Sequence, residues 1–176
     1  MQHTAYIGFG SNMGDLKKNC QWAMDRLNQS GLCAVEQISR LYDTEPVDFE
    51  AQDRFLNGAA RIKTSLEPRD LLALLKSLEK EAGRTNSGPR FGPRVLDMDI
   101  LFYNELVMED GDLDIPHPRL HKRRFVLAPL CDIAPELQHP VLKKTVSSLL
   151  EKLDDGGKDV TILDQVLEIP AQVLAL

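Results

Sequence analysis

Disulfide chemistry has little material in this chain. The three cysteines, Cys20, Cys33 and Cys131, are an odd number, show no Cys-x-x-Cys spacing and sit within apolar patterns. They read as reduced core residues of a cytoplasmic protein. Long apolar runs are missing as well: none approaches the ~20 residues that cross a bilayer, and Met1 to Phe9 lacks the basic start and apolar core of an export signal. Neither membrane nor export is expected. Positive charge is in deficit, with 21 Lys and Arg against 27 Asp and Glu, a net charge of -6. Domains that bind nucleic acid usually carry the opposite surplus, so nucleic acid is not expected as a partner. Aromatic residues make up 6% of the chain, without the aromatic signature of a sheet that stacks RNA bases. At this length one domain buries roughly 70% of the surface its unfolded chain exposes, so no structural metal is needed.

Against this acidic average the basic residues are clustered, Arg84 to Arg94 and Arg119 to Arg124, which suggests a local anion site rather than a general field. The first cluster lies in the stretch around which the chain is organised, Gly83 to Ile100. It opens with Gly83, Gly88, Pro89, Gly92 and Pro93, a composition for a loop that can bend close to a ligand or close over it. It then becomes a short strand in which Asp97 and Asp99 alternate with Leu96, Met98 and Ile100. A period of two puts both carboxylates on one face, about 7 Å apart along the strand. Two such groups repel unless a hard cation sits beside them, and Mg²⁺ suits one or two carboxylates with phosphate oxygens and water completing its shell. Arg84, Arg90 and Arg94 supply planar guanidinium groups that grip phosphate bidentately and stabilise charge that develops in phosphoryl transfer. Together they point to a Mg-nucleotide.

The rest of the chain supplies a frame. Ala5 to Phe9 reads as a buried strand, and Ser11 or Asn12 can cap a helix carrying Leu16, Cys20, Ala23, Met24 and Leu27, ended by Gly31. Ala34 to Leu41 reads as a strand, and Asp43 to Asp53 as a loop. Leu56 to Ile62 reads as a strand interrupted by Asn57-Gly58. Pro68 opens a second helix that Gly83 stops, and Val95 to Tyr103 is the fourth strand. Leu113 to Ile115 gives a further short strand, Arg119 to Leu130 a short helix, Thr145 a cap, and Val160 to Leu163 a last strand. Strand, helix, strand, strand, helix, strand predicts an α+β fold of the ferredoxin-like split βαβ (βαββαβ) kind: an antiparallel sheet with helices on one face, the other face or its rim free for ligands. One domain is expected, with a core over 5–140 and a C-terminal extension over 141–176.

Several separated motifs carry a family resemblance: Tyr6-Ile7 through Gly10-Ser11-Asn12, Tyr42-x-Thr44, Phe55-Leu56-Asn57, Gly83-Arg84, Arg90 through Ile100 with its Gly-Pro-Arg-x-Leu-Asp-x-Asp string, and Ile115-Pro116-His117-Pro118-Arg119-Leu120 with Arg123 and Phe125. From about Ala5 to Pro140 the chain resembles the 6-hydroxymethyl-7,8-dihydropterin pyrophosphokinases of folate synthesis. The resemblance implies transfer of the β,γ-pyrophosphoryl group of ATP to the 6-hydroxymethyl group of the pterin. Asp97 and Asp99 would hold two Mg²⁺ ions, with Asp99 the candidate to guide the hydroxyl proton and Arg84 and Arg94 meeting the phosphates. By the same resemblance Glu79, Phe91, Ile100, His117 and Arg123 lie at ATP, Ile100 beside the adenine. Phe55 and Phe125 would sandwich the pterin ring, Asn57 would read its polar edge, and the backbone at Thr44 and Val47 would do the same.

The chain departs from the pattern at Asn86, where some members have arginine, at Phe91, where some have tryptophan, at Pro118, where some have tyrosine, and at Lys76, where glutamine is frequent. Fewer cations are therefore expected in the closing loop. His117 and His121 are four apart, but Pro118 and the lack of further ligands nearby argue against zinc. A related Mg-dependent phosphotransferase acting on another planar alcohol, and a non-catalytic nucleotide- or RNA-binding module of the same fold, remain as alternatives. A monomer is the default expectation.

Overall fold

Three long neighbouring strands form one side of a six-stranded sheet, in a computed structural model that describes residues 1–44, 53–83, 94–156 and 160–172. In chain order the elements are β1 (His3–Ser11), α1 (Leu16–Gln29), β2 (Cys33–Ile38), β3 (Tyr42–Thr44), β4 (Phe55–Thr64), α2 (Pro68–Glu81), β5 (Asp97–Tyr103), β6 (Met108–Asp110), β7 (Leu113–Ile115), a 3-10 turn Leu120–Lys122, α3 (Arg124–Ile133), α4 (Val146–Glu151) and β8 (Val160–Ile162). The sheet runs β5-β1-β4-β3-β8, with β2 also on β4, and its paired strands are antiparallel. β6 and β7 make a separate hairpin. Among the described residues no helix is long and apolar enough to cross a membrane.

The expected face is covered as the helical spacing predicts. Cys20, Ala23, Met24 and Leu27 of α1 and Leu71, Leu75 and Leu78 of α2 pack on Ala5, Ile7, Ile62, Met98 and Ile100. The opposite face is not left free. Leu127, Leu130 and Ile133 of α3 and Val146 of α4 cover Ala59, Leu101 and Phe102 in a second apolar cluster. A register shift opposite Tyr6 and Ile7 explains how Leu101 and Phe102 both reach it: the bulge in β5 cancels one alternation, and Tyr103 returns to the first core.

Four local expectations are corrected. The cap of α1 is Asp15, which accepts the Lys18 N–H at 3.2 Å, not Ser11 or Asn12. Asn57-Gly58 does not interrupt β4, which continues for 10 residues. Gly58 is there because the Phe9 ring lies across it, and a Cβ would meet Phe9 Cζ at 2.4 Å. Asp43 and Thr44 belong to β3 rather than to a loop, while residues 45–52 lie outside the described residues. The helix expected from Arg119 becomes regular only at Arg124. Thr145 does cap α4, its hydroxyl accepting the Ser148 N–H at 3.2 Å.

The segment after α4 closes the sheet edge and then crosses α1. β8 pairs with β3, Leu163 N–H donates to Leu41 O, and Leu167 is buried in the first core. Gln21 exchanges two hydrogen bonds with the Glu168 backbone, at 2.8 and 3.0 Å, and buried Asn28 donates to Ala171 O at 2.7 Å. Leu167→Asp places a carboxylate in that core, and the expected loss is about 3 kcal/mol or more. Urea unfolding measures it; a loss below ~1 kcal/mol would mean that the segment adds no anchorage.

Candidate functional site

The β-sheet register brings the sequence motifs together. Asp97 lies opposite Gly10, Gly10 opposite Asn57, and Asn57 opposite Tyr42, in one row across β5, β1, β4 and β3. Residues directly opposite share a face, so the carboxylate of Asp97 and the amide of Asn57 stand on the same surface, two strands and about 10 Å apart. Asp99 lies opposite Gly8 in the adjacent row. The two glycines remove the side chains that would otherwise fill the space between the carboxylates and β4. At Gly10 a Cβ would come within 2.4 Å of Asn57 Oδ1.

Thr44 and Phe55 are opposite one another on the same face. Thr44 is buried; its hydroxyl accepts Asn57 Nδ2–H at 2.6 Å and lies 3.4 Å from Phe55 O. Asn57 is therefore fixed by its neighbour. The N-terminal end of α3 carries Phe125, half-buried, with the Arg123 guanidinium 5.4 Å from its ring centroid.

Asn12 ties the entry of β5 to the end of β1. Its N–H donates to Arg94 O at 3.0 Å, its Oδ1 accepts the Arg94 N–H at 2.7 Å, and its Nδ2 donates to Asp53 O at 3.3 Å. Sequence reasoning gave Asn12 a capping role and a place in the Gly10-Ser11-Asn12 motif, but missed it as the residue that joins both segments leading into the site. Gly10 was missed in the same way. The signal lay in the Gly10-Ser11-Asn12 string, but its meaning needs the strand register.

His117 is held by its backbone N–H to Leu101 O at 3.0 Å, and its Nδ1 accepts the Arg119 N–H at 3.1 Å. The neutral ring therefore carries its proton on Nε2 and presents a donor. Burial pushes its pKa down to about 4, helped by Arg123 and Arg119 and opposed by Asp97 and Asp114. Because the native value lies below the unfolded 6.5, the native state binds fewer protons. The stability this contributes is complete above pH 6.5 and is lost as the pH falls toward 4. His117→Asn keeps an acceptor for Arg119 without the titration. Between pH 7 and 4.5 it is expected to lose about 2 kcal/mol less than the parent chain in urea unfolding; equal losses would remove His117 from the acid response.

Asp99 is pushed up to about 6, first by burial, then by Asp97 and Glu79, while Lys76 and Arg123 pull it down. A buried carboxylate with a second one two residues along the same strand is a donor set suited to a hard cation. Among the described residues no three His, Cys, Asp or Glu side chains converge. A cation held here would take its remaining ligands from phosphate oxygens and water.

The other expected residues are placed differently. Ile100 is 3% exposed in the first core. Glu79 is buried beneath β5, where its carboxylate accepts the Met98 N–H at 2.8 Å. His121 packs edge-on against His139. Cys20 and Cys33 are buried and Cys131 is partly buried, all three as free thiols. Val47, Arg84, Asn86, Arg90 and Phe91, and with them the expected closing loop, lie outside the described residues.

Comparison with known proteins adds a family. The model of the family described as 7,8-dihydro-6-hydroxymethylpterin-pyrophosphokinase matches residues 6–135. A 2-amino-4-hydroxy-6-hydroxymethyldihydropteridine pyrophosphokinase of Bacillus subtilis is 44% identical over 138 residues, covering 78% of this chain and 82% of that protein. The folic acid synthesis protein FOL1 of Dictyostelium discoideum is 41% identical over 152 residues, 86% of this chain but 23% of its own length. This chain thus spans about a quarter of that relative. In structure, the wild-type HPPK-DHPS of Plasmodium falciparum with pterin and p-hydroxybenzoate superposes with a TM-score of 0.67 at 18% identity, over 85% of this chain and 43% of that one, a likeness of fold.

Proposed function

Since the chain belongs to the 7,8-dihydro-6-hydroxymethylpterin-pyrophosphokinase family, we propose that it transfers the β,γ-pyrophosphoryl group of ATP to the 6-hydroxymethyl group of 6-hydroxymethyl-7,8-dihydropterin, giving AMP and the pterin diphosphate for folate synthesis. The observation that carries this reading is the row Asp97, Gly10, Asn57. It puts the carboxylate of Asp97 and the amide of Asn57 on one face, with glycine between them, which supports a cation-and-phosphate side and a heterocycle-reading side. The strand order β5-β1-β4-β3, with helices after β1 and β4, supports a ferredoxin-like split βαβ core.

Phe55 and Phe125 bind the two faces of the pterin, and Asn57, held by Thr44, pairs with its polar edge, which aims the hydroxymethyl group along the sheet toward Asp97. Arg94, fixed through Asn12, and Arg123 face the triphosphate, and neutral His117 donates from Nε2 to a phosphate oxygen. Arg84 would add a further cation and Phe91 a contact to the nucleotide. Asp97 and Asp99 would hold Mg²⁺, two ions in this reading, which would neutralise triphosphate charge and lower the pKa of the attacking hydroxyl. Asp99 receives or relays the hydroxyl proton. We place this chain in the cytoplasm as a monomer, with residues 1–176 forming one domain.

The test is incubation of purified protein with ATP, Mg²⁺ and the pterin alcohol, resolving AMP from ADP. AMP formed only with pterin is expected. ADP would point to an ordinary kinase, and no nucleotide turnover would leave a binding module.

A further inference from the structure

Asp97 and Asp99 flank Met98, and Met98 is the point at which α2 reaches the strand. Among the described residues β5 is the outermost strand on its side of the sheet, with no strand paired to its far edge. At that edge the Met98 N–H donates to Glu79 Oε1 at 2.8 Å. Lys76 Nζ lies 3.4 Å from Met98 O and 3.1 Å from the same Glu79 oxygen. The Met98 N–H belongs to the peptide that joins it to Asp97, and the Met98 carbonyl to the peptide that joins it to Asp99. Two side chains one turn apart on α2 therefore hold both peptide planes from which the carboxylate-bearing residues extend. Alternation in an antiparallel ladder leaves Asp97 and Asp99 turned toward β1, so each aspartate is fixed by β1 on one side and, through Met98, by α2 on the other.

The chemistry of this contact exceeds what covering a strand edge requires. Glu79 is 1% exposed, and burying a carboxylate is costly unless charged hydrogen bonds compensate. A neutral amide would satisfy one N–H at smaller cost. A charged clamp is stiffer, because charge-assisted bonds are shorter and stronger. Stiffness matters where a displacement of about 1 Å costs on the order of a hundredfold in rate.

We infer that Lys76 and Glu79 form a positioning pair for the aspartates. Glu79 sets the spacing and direction of Asp97 and Asp99 through the Met98 peptide groups rather than touching the nucleotide, and Lys76 holds Glu79 to that task. This rests on the proposed role of the aspartates in holding cations, and it assigns Glu79 a place different from the ATP contact expected from the sequence.

Binding of Mn²⁺ in the presence of the α,β-methylene analogue of ATP, followed by electron paramagnetic resonance, tests the pair independently of turnover. Glu79→Ala is expected to weaken Mn²⁺ binding about tenfold and to lower kcat similarly, with the KM for pterin within about twofold. Glu79→Gln still offers an oxygen to the Met98 N–H but loses the charge that Lys76 pairs with, and is expected to recover part of both. A raised KM for ATP with Mn²⁺ affinity and kcat unchanged would make Glu79 a nucleotide contact and overturn the inference. So would a Gln variant as damaged as Ala. Should Glu79→Ala fail to fold, Lys76→Met carries the test at a half-exposed side chain, with about threefold weaker Mn²⁺ binding expected and unchanged binding overturning it. Tight Mn²⁺ binding by the parent chain without AMP formation would refute the proposed reaction while leaving the clamp measurable.

Discussion

Asp97→Ala is expected to fold and to lose about a thousandfold or more in turnover, a deficit of ~4 kcal/mol in the barrier. Asp97 is half-buried at the start of β5, and its carboxylate raises the pKa of Asp99. Removing it relieves a like-charge contact, so the unfolding midpoint of the variant in metal-free buffer should be no lower than that of the parent. The same carboxylate is one of the two proposed to hold the cations, and one carboxylate cannot keep two ions in register with the triphosphate. Stability and activity should therefore move apart. AMP production under saturating ATP and pterin, measured beside a urea or thermal unfolding curve, checks both halves. Activity within tenfold of the parent would shift the cation site away from β5. A fall in stability of several kcal/mol would mean that Asp97 is a structural residue whose loss disables the enzyme indirectly.

Much of this site could be read before any coordinates. Asp97 and Asp99 alternate with Leu96, Met98 and Ile100, and the strand places both carboxylates on one face with Met98 and Ile100 in the opposite core. Period two is a local property, and β5 obeys it up to Leu101. Helices α1 and α2 were legible for the same reason, since the spacing of Cys20, Ala23, Met24 and Leu27 declares one buried stripe. The covering of the second face was not legible. Leu127 and Leu130 are apolar at helical spacing, but nothing local says that they pack on Leu101 and Phe102, and the bulge that turns both of those residues to α3 is set by pairing with β1. Asn57-Gly58 misled because a turn dipeptide looks the same whether it breaks a strand or makes room for Phe9.

The roles of Glu79 and Asn12 were hidden for a related reason. Each works through a backbone partner far along the chain: Glu79 at Met98, Asn12 at Arg94 and Asp53. Side-chain chemistry can be guessed from residue type, whereas a bond to a distant peptide group leaves no pattern in spacing. Ile100, expected beside the adenine from the family resemblance, lies in the first core.

Gly10→Ala is the sharper test of how the pterin half is built. The added Cβ would lie 2.4 Å from Asn57 Oδ1 and 3.3 Å from Leu56 O. The amide must turn away, because it is the movable partner, and in doing so it gives up the 2.6 Å bond from Asn57 Nδ2 to Thr44 Oγ1. The expected cost to folding is small, about 1 kcal/mol for one hydrogen bond, since the fold keeps its strand register and both cores. The cost to recognition is larger. The polar edge of the pterin would meet a displaced amide and leave buried donors and acceptors unpaired, which discriminates strongly in sites built around hydrogen bonds. About a 30-fold or greater rise in the KM for pterin is expected from the ~2 kcal/mol this represents, with the KM for ATP within about twofold. Initial rates at varied pterin and fixed saturating ATP, then the reverse, separate the two. Asn57→Ala in the same assay should match Gly10→Ala, and the double variant should cost little more than either alone, because both remove one interaction. Additive losses would mean that Gly10 serves the phosphate side of the row rather than Asn57, and an unchanged KM for pterin in both single variants would take Asn57 out of substrate recognition.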